Sequence, residues 1–403
     1  MNILFVTPYI TSNLFDKFLI NKTGFGYMVN DIANAIGVEN SVELFQVSTF
    51  SNEMRLGNYN VIGRKWTDLL IGLDIKLFFE ALRFISKYRT SLISSFRTLY
   101  YFLSVGTLSK KIQKYDVVHI HGCSPLTYAT IALCNRKKVP FLVTLHGLVS
   151  FEKTVKLETG LKNYERDYLE EAAAECYLTS FISTGIKKTA EAYVGRKVDT
   201  FVVLPNGCDT VVKQSVFSVR EAYNIQNDDF VFLCVGNITD NKNQFQVVKA
   251  FGLLPESIRK KVKILLIGRE CDGGRVSQEI MDQSIGTSIL QIGWVSKENL
   301  PDYYTSSDAT ILASKAEGFG LSIIEGYVYG KPNVTFSDLP ATQDLFDPNT
   351  MILADQRSDY ALAEAMIKAV THNWDSSKIM SFSKRFSLEN MAKEYINVYN
   401  NIV

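Results

Sequence analysis

The sequence predicts an α/β protein made of two doubly wound domains, and three observations carry that expectation. Continuous Val/Ile/Leu/Phe runs recur along the chain, helix-length segments separate them, and the series breaks once, after PNGCD at 205–209. Such runs are typical of strands buried on both faces of a parallel sheet, and their alternation with helices is the pattern of open α/β sheets. The first series is ILFVT (3–7), VELFQV (42–47), VVHIH (117–121), FLVTLH (141–146), FISTG (181–185) and FVVLP (201–205). The second is FVFLCVG (230–236), KILLIG (263–268), ILQIG (289–293), ATILAS (309–314) and PNVTF (332–336). Together they exceed what one ordinary domain holds. The polar stretch VVKQSVFSVREAYNI after the break has no strong strand, so the boundary is expected near residue 213, giving domains 1–213 and 214–386. The last stretch, SLENMAKEYINVYNNIV (387–403), reads as a terminal helix. Ligands of open α/β sheets bind at the carboxyl ends of the strands. The two domains are therefore expected to face each other across a ligand cleft.

Composition narrows the class. The 403 residues are 46% hydrophobic and 21% charged, as in an ordinary globular protein. A net charge of +1 provides no field for nucleic acid, so no such partner is expected. The six cysteines (Cys123, Cys134, Cys176, Cys208, Cys234 and Cys271) are scattered and form no CxxC, which signals neither a zinc site nor a redox pair and fits a reducing cytoplasm. MNILFVTPYI has no basic n-region and reads as a first buried strand, not as a secretory signal. Residues 117–135 lack Asp, Glu, Lys and Arg, yet His119, His121, Gly122 and Pro125 interrupt them, so no stretch reads as a membrane span.

Several chemistries are excluded by what is missing. There is no GxGxxG, no GxxxxGK[ST] and no GxSxG. No two aspartates are separated by one residue, so a DxD metal clamp for a nucleotide diphosphate is absent. Neither a metal nor a cofactor is expected. A diphosphate would be held by Lys, Arg, backbone amides and helix N-termini.

The notable residues fall at strand ends. Gly24-Phe25-Gly26 follows the first strand and opens a helix, His146-Gly147 ends FLVTLH, and Gly236 ends FVFLCVG and precedes Asn237 and Lys242. Gly268 ends KILLIG and precedes Arg269. EGFGLSIIE (317–325) follows ATILAS, with Glu317 in a strand-to-helix loop and Glu325 in the helix that SIIEGYVYG forms up to Gly330. Two readings of that stretch stand at this point. One is a helix cap with a solvated glutamate. The other is an anion cradle, in which Gly318 and Gly320 let the backbone approach a ligand bearing both phosphate and hydroxyls, such as a sugar nucleotide.

The block EGFGLSIIEGYVYGKP resembles the EX7E signature of retaining GT-B glycosyltransferases of family 4, also called group 1. The resemblance runs over nearly the whole chain. VVHIHG, FLVTLHG, FISTGIKKTAEAYVG, VVLPNGCD, FVFLCVGNITDNKNQFQVVKAF and GWVSKENLPDYYTSSDATILASKAEGFG follow in the family's order. It implies two Rossmann-like domains, with helix 387–403 crossing back onto the N-terminal one. It also implies transfer of a hexose or N-acetylhexosamine from a nucleoside diphosphate sugar, most simply a UDP-sugar, to a lipid-linked or polysaccharide-precursor glycan, without metal.

Residue roles follow from the same resemblance. Glu325 accepts hydrogen bonds from the ribose hydroxyls, Glu317 contacts the transferred sugar, and Gly318, Phe319 and Gly320 present backbone amides. Lys242 neutralises the departing diphosphate, and His146 bonds a sugar hydroxyl. Gly24 and Gly26 bring backbone to the donor phosphate or the acceptor, a plain turn being the other reading. Asn206 and Gly207 line the cleft at the hinge, Gly236 lies at the diphosphate, and Trp294 and Val295 lie near the base. His119 and His121 read as structural, and His372 receives no role. One position departs from the family: Asn237 stands where Arg is usual, and one neutral donor replaces a charged fork. Arg269 is the substitute cation. Two rival functions are a non-catalytic sugar-nucleotide-binding subunit and a nucleotide-sugar epimerase on the same fold.

Residues 76–114 hold Lys76, Arg83, Lys87, Arg89, Arg97, Lys110, Lys111 and Lys114 against one acid, Glu80. Phe78, Leu82, Ile85, Leu92, Phe96, Leu99 and Leu103 recur among them at helical spacing. Two readings stand here as well: a helical insertion packed on its own core, or an amphipathic surface on an anionic membrane at the inner face of the cell membrane.

Overall fold

The computed structural model describes residues 1–15, 18, 23–48, 52–152 and 157–403. The chain forms two compact units, Met1–Asn206 with Leu388–Val403, and Gly207–Ser387. The division thus falls at Asn206 and Gly207, against an expectation near residue 213.

The first unit is an eight-stranded sheet: β1 (Asn2–Thr7), β2 (Ser41–Gln46), β3 (Met54–Leu56), β4 (Tyr59–Val61), β5 (Val117–His121), β6 (Phe141–Leu145), β7 (Thr179–Phe181) and β8 (Phe201–Val203). Its order is β3-β4-β2-β1-β5-β6-β7-β8, and every pair is parallel except β3 with β4. β1 is central because Ile3, Leu4, Phe5 and Val6 are wholly buried, which suits a strand covered on both faces. The first helix, Gly24–Ile36, starts where Thr23 accepts a hydrogen bond from the Gly26 amide. The terminal helix Leu388–Asn400 packs against it and buries Tyr395 and Tyr399 completely.

The second unit is a six-stranded, all-parallel sheet: β9 (Phe230–Val235), β10 (Val262–Ile267), β11 (Ile289–Gly293), β12 (Ala309–Leu312), β13 (Asn333–Phe336) and β14 (Met351–Ala354). The order β11-β10-β9-β12-β13-β14 means that the chain winds outward one way from β9 and then the other way from β12. Open α/β sheets hold their ligands at such a reversal, outside the carboxyl ends of the strands, here those of β9 and β12. In the first unit the same reversal falls between β1 and β5.

Three departures from the sequence expectation have physical causes. FISTG (181–185) is not a strand throughout: β7 ends at Phe181 and a helix runs Thr184–Val194. Ser183 caps that helix by accepting from the Ile186 amide, so Ser-Thr-Gly here starts a helix. The short β3–β4 hairpin and β14 were not anticipated. MILA carries no period of its own, and only pairing with β13 makes it a strand.

Candidate active site

In the second unit the site grows from two loops, one after β9 and one after β12. Polar contacts hold them together. The Asn241 side chain donates to the Ala316 carbonyl (3.1 Å) and accepts from its amide (3.2 Å). The Lys315 amide donates to the Asn241 carbonyl (2.7 Å), and Lys315 Nζ reaches Asp240 at 2.6 Å.

On this frame Lys242 Nζ donates to Glu317 Oε2 at 2.5 Å, and Ser314 Oγ donates to the same oxygen at 3.3 Å. Burial alone would lower the lysine pKa, but the Glu317 carboxylate outweighs it and holds the ammonium above its ordinary value. The lysine stem lies over Gly236, where a Cβ would stand 3.4 Å from Lys242 Cε. The structure thus pairs directly two residues that the sequence placed in separate roles.

The neighbouring strand end supplies Gly268 and Arg269. Asn237 Oδ1 accepts from the Arg269 amide at 3.1 Å, so Asn237 ties the loops after β9 and β10 together. The exposed Arg269 guanidinium lies 6.0 Å from the centre of the Trp294 ring, within range of a cation–π contact. Val295 is half-buried and packs on the core cluster that includes Tyr303 and Tyr304.

The helix Leu321–Val328 begins at Gly320, whose φ of 84° suits glycine, and no side chain caps its first amides. Gly318 is half-buried, while Phe319 turns inward with its ring edge-on to Phe386 at 5.8 Å. Glu325 lies in this helix and accepts from the Tyr304 hydroxyl at 2.8 Å. Tyr304 is itself fixed by stacking on Tyr329, with ring centres 5.5 Å apart.

The first unit contributes a second cluster at its own reversal point. Gly24 is exposed, with nothing within 4 Å of a built Cβ, whereas Gly26 would clash with Thr11 Oγ1 at 2.2 Å. Gly26 is therefore required by the packing of its own chain. Between them the Phe25 ring stands edge-on to His146 at 4.9 Å and to Tyr9 at 5.2 Å. Burial lowers the His146 pKa to about 4, so the imidazole is neutral at ordinary pH. Asn206, buried, closes the unit. The candidates thus fall into two sets: Gly24, Gly26, His146 and Asn206 in one unit, and Gly236, Asn237, Lys242, Arg269, Val295, Glu317, Gly318, Phe319, Gly320 and Glu325 in the other.

Three contributors went unseen in the sequence. Tyr304 orients Glu325 from another helix, Asn241 laces the loops, and buried Gln244 donates to the carbonyls of Gly236 (3.0 Å) and Asn237 (3.2 Å). Only the polar run TDNKN hinted at a built loop.

Two family models match the chain, "Glycosyltransferase Family 4" over residues 73–212 and "Glycosyl transferases group 1" over residues 216–386. Curated proteins similar to this chain include the following two. The UDP-Gal:alpha-D-GlcNAc-diphosphoundecaprenol alpha-1,3-galactosyltransferase of Escherichia coli is 27% identical over 262 residues, 60% of this chain and 62% of that protein. The alpha-monoglucosyldiacylglycerol synthase of Acholeplasma laidlawii is 24% identical over 249 residues, 58% of this chain and 60% of that protein. The crystal structure of Anabaena HepE in complex with UDP matches with a TM-score of 0.71 at 16% identity, covering 100% of both chains.

Proposed function

The chain belongs to the group 1 glycosyltransferases of family 4 and has their GT-B fold, and from that premise we propose its reaction. It transfers a hexose or N-acetylhexosamine from a UDP-sugar to a hydroxyl of a lipid-linked or polysaccharide-precursor glycan, retaining anomeric configuration and using no metal. The observation that carries this reading is the Lys242–Glu317 pair at the crevice between β9 and β12. A cation there meets the diphosphate as the anomeric C–O bond breaks, when charge on the leaving group is largest. The carboxylate beside it accepts hydroxyls of the sugar, and Glu325, aimed by Tyr304, accepts both ribose hydroxyls. On the retained face the acceptor oxygen forms the new bond to the anomeric carbon while its proton passes to the leaving phosphate. The Asn237 side-chain oxygen braces the loop after β10, its amide can offer the diphosphate one neutral donor, and Arg269 supplies the second cation. The HepE complex with UDP supports the uridine donor, and the diphosphoundecaprenol and diacylglycerol named for the two curated relatives support a lipid-linked acceptor.

The test is nucleoside diphosphate release from UDP-, GDP- and ADP-sugars without added metal, for the wild type and Glu325→Ala. Slow release from a UDP-sugar, lost in the variant, is expected. Binding without release, even with lipid-linked acceptor present, replaces this reading with a non-catalytic binding subunit, and no binding at all overturns it.

The helix pair Ile75–Tyr88 and Leu92–Gly106 bears on where the enzyme works. Leu77, Ala81, Phe84 and Tyr88 form the buried stripe of the first helix, and Thr98, Phe102 and Val105 that of the second. Both stripes pack toward the helix Pro125–Lys137, yet Ile75, Phe79, Leu82, Leu92, Ile93 and Phe96 stay exposed, Leu92 at 74%. Exposed Lys76, Arg83, Arg89 and Arg97 are interspersed with them. A solvated helix pair does not gain from leaving so much apolar surface in water. Basic side chains around it match an anionic bilayer at the cytoplasmic face. No helix among the described residues is long and apolar enough to cross a membrane. Cosedimentation with anionic but not neutral liposomes is expected, weakened about tenfold or more by Phe79→Ser with Phe96→Ser, since each loses most of an exposed aromatic's burial. A folded protein that binds neither kind of liposome refutes the surface.

A further inference from the structure

β5 brings two histidines to one side of its strand, and one of them reaches the candidate site. His119 and His121 are buried, with ring centres 4.0 Å apart. Both nitrogens of His119 are engaged, Nε2 with Thr144 Oγ1 and Nδ1 with the Tyr399 hydroxyl, each at 2.6 Å. His121 differs. Its Nδ1 lies 3.1 Å from His146 Nε2, and its Nε2 is buried with no hydrogen-bond partner among the described residues.

That orphan nitrogen decides which imidazole donates. Two neutral rings sharing one hydrogen bond have two arrangements. If His146 Nε2–H donated to His121, then His121 would carry its proton on Nε2, an N–H sealed from water without an acceptor. If His121 Nδ1–H donates to His146, the orphan is a bare lone pair. Buried N–H groups without partners are the rarer and costlier defect, so the second arrangement holds. Burial, with the neighbouring imidazoles, keeps His121 well below the ordinary histidine range, which removes the doubly protonated alternative. His146 then carries its own proton on Nδ1, and no described residue hydrogen-bonds that atom.

We propose that His121 is a positioning residue: it fixes half-buried His146 in the Nδ1–H tautomer, so that His146 meets the sugar as a hydrogen-bond donor to a hydroxyl oxygen and not as a base. The ligand part of this rests on the transferase reading; the tautomer does not. Phe25, edge-on to His146, also limits rotation of the ring.

Two substitutions separate positioning from packing. His121→Asn keeps a donor near the Nδ1 position and loses the ring, while His121→Phe keeps a ring against Phe5 and loses the donor. With only four histidines in the chain, 15N NMR of the imidazoles is tractable. A protonated Nδ1 on His146 is expected in the wild type and in His121→Asn, and a shift to Nε2–H in His121→Phe. In donor turnover, His121→Asn should stay within about twofold of wild type in kcat and His121→Phe fall about tenfold, the scale of one hydrogen bond. A purely structural role predicts the reverse ranking. An Nε2-protonated His146 in the wild type, or a Phe variant more active than the Asn variant, overturns the proposal. The expected tautomer in a protein that turns over no donor would instead sink the transferase reading alone.

Discussion

Lys242→Ala is expected to lower kcat/KM by about 10²–10³, the usual cost of removing one preorganised group that meets developing charge. The loss should appear mainly in kcat. On the proposed reading, Arg269 and backbone amides also meet the donor diphosphate in the ground state, and the ammonium matters most when the anomeric bond is breaking. The structure adds a reason for a large effect. Lys242 is the cation held 2.5 Å from Glu317, so its removal also leaves a half-buried carboxylate beside the incoming diphosphate, where like charges repel. Glu317→Gln should hurt less than Lys242→Ala, because the amide still accepts a hydroxyl and repels no phosphate. A double variant should lose less than the sum of the two single losses, since the pair acts as a unit. Because Glu317 raises the Lys242 pKa above the ordinary lysine value, activity should show no alkaline limb from this group below about pH 10. Steady-state kinetics of the three variants on a UDP-sugar decide it. A Lys242→Ala enzyme within fivefold of wild type would remove the pair from the chemistry.

The sequence made part of this site visible, and the part has a pattern. Strand ends were readable because a buried parallel strand is a continuous apolar run, and polar or glycine residues after it stand out, as at Gly236, Gly268 and His146. Glu317 and Glu325 were readable because they flank a helix start with glycines at fixed spacing. What bridges elements was not readable. Tyr304 reaches Glu325 from a separate helix, and Asn241 meets Ala316 across 75 positions of sequence. Asn237 shows the same limit in sharper form. The family resemblance marked it as a departure from an arginine position, but only the fold shows its side-chain oxygen accepting from the Arg269 amide. The helix pair after residue 74 was ambiguous for a different reason. Periodicity tells that a helix has apolar residues on more than one face, not which of those faces finds a partner. Packing settles that Phe84 and Phe102 are inside and that Phe79 and Phe96 are out.

Gly268→Ala is expected to be the most destabilising single methyl in the second unit. Its φ of 145° lies where side chains are rarely tolerated, and a Cβ there would stand 2.2 Å from the Gly236 carbonyl oxygen and 2.7 Å from the Asn237 nitrogen. Those are backbone atoms and cannot swing away. The Gly236 amide donates to the Ile267 carbonyl at 2.8 Å, its carbonyl accepts from Gln244 at 3.0 Å, and Asn237 grips the Arg269 amide. Relief therefore requires separating the ends of β9 and β10. Backbone strain of about 1–3 kcal/mol and a similar overpacking cost together give about 2–6 kcal/mol. For a unit of this size the middle of that range lowers the melting temperature by roughly 10 °C. Gly24→Ala is the matching control for stability, because its Cβ meets nothing within 4 Å and it sits at a helix start, so its melting point should hold or rise slightly. Calorimetry of the two variants tests the contrast, and a Gly268→Ala protein melting within 2 °C of wild type would mean that the β9–β10 junction yields. The same displacement has a functional consequence. The strand ends that must part carry Asn237 and Arg269 and lead into the loop that holds Lys242, so Gly268→Ala should also weaken donor binding in the fraction that remains folded. The close approach of these two strand ends, which leaves no room for a side chain, is what fixes the starts of the loops that carry Lys242 and Arg269.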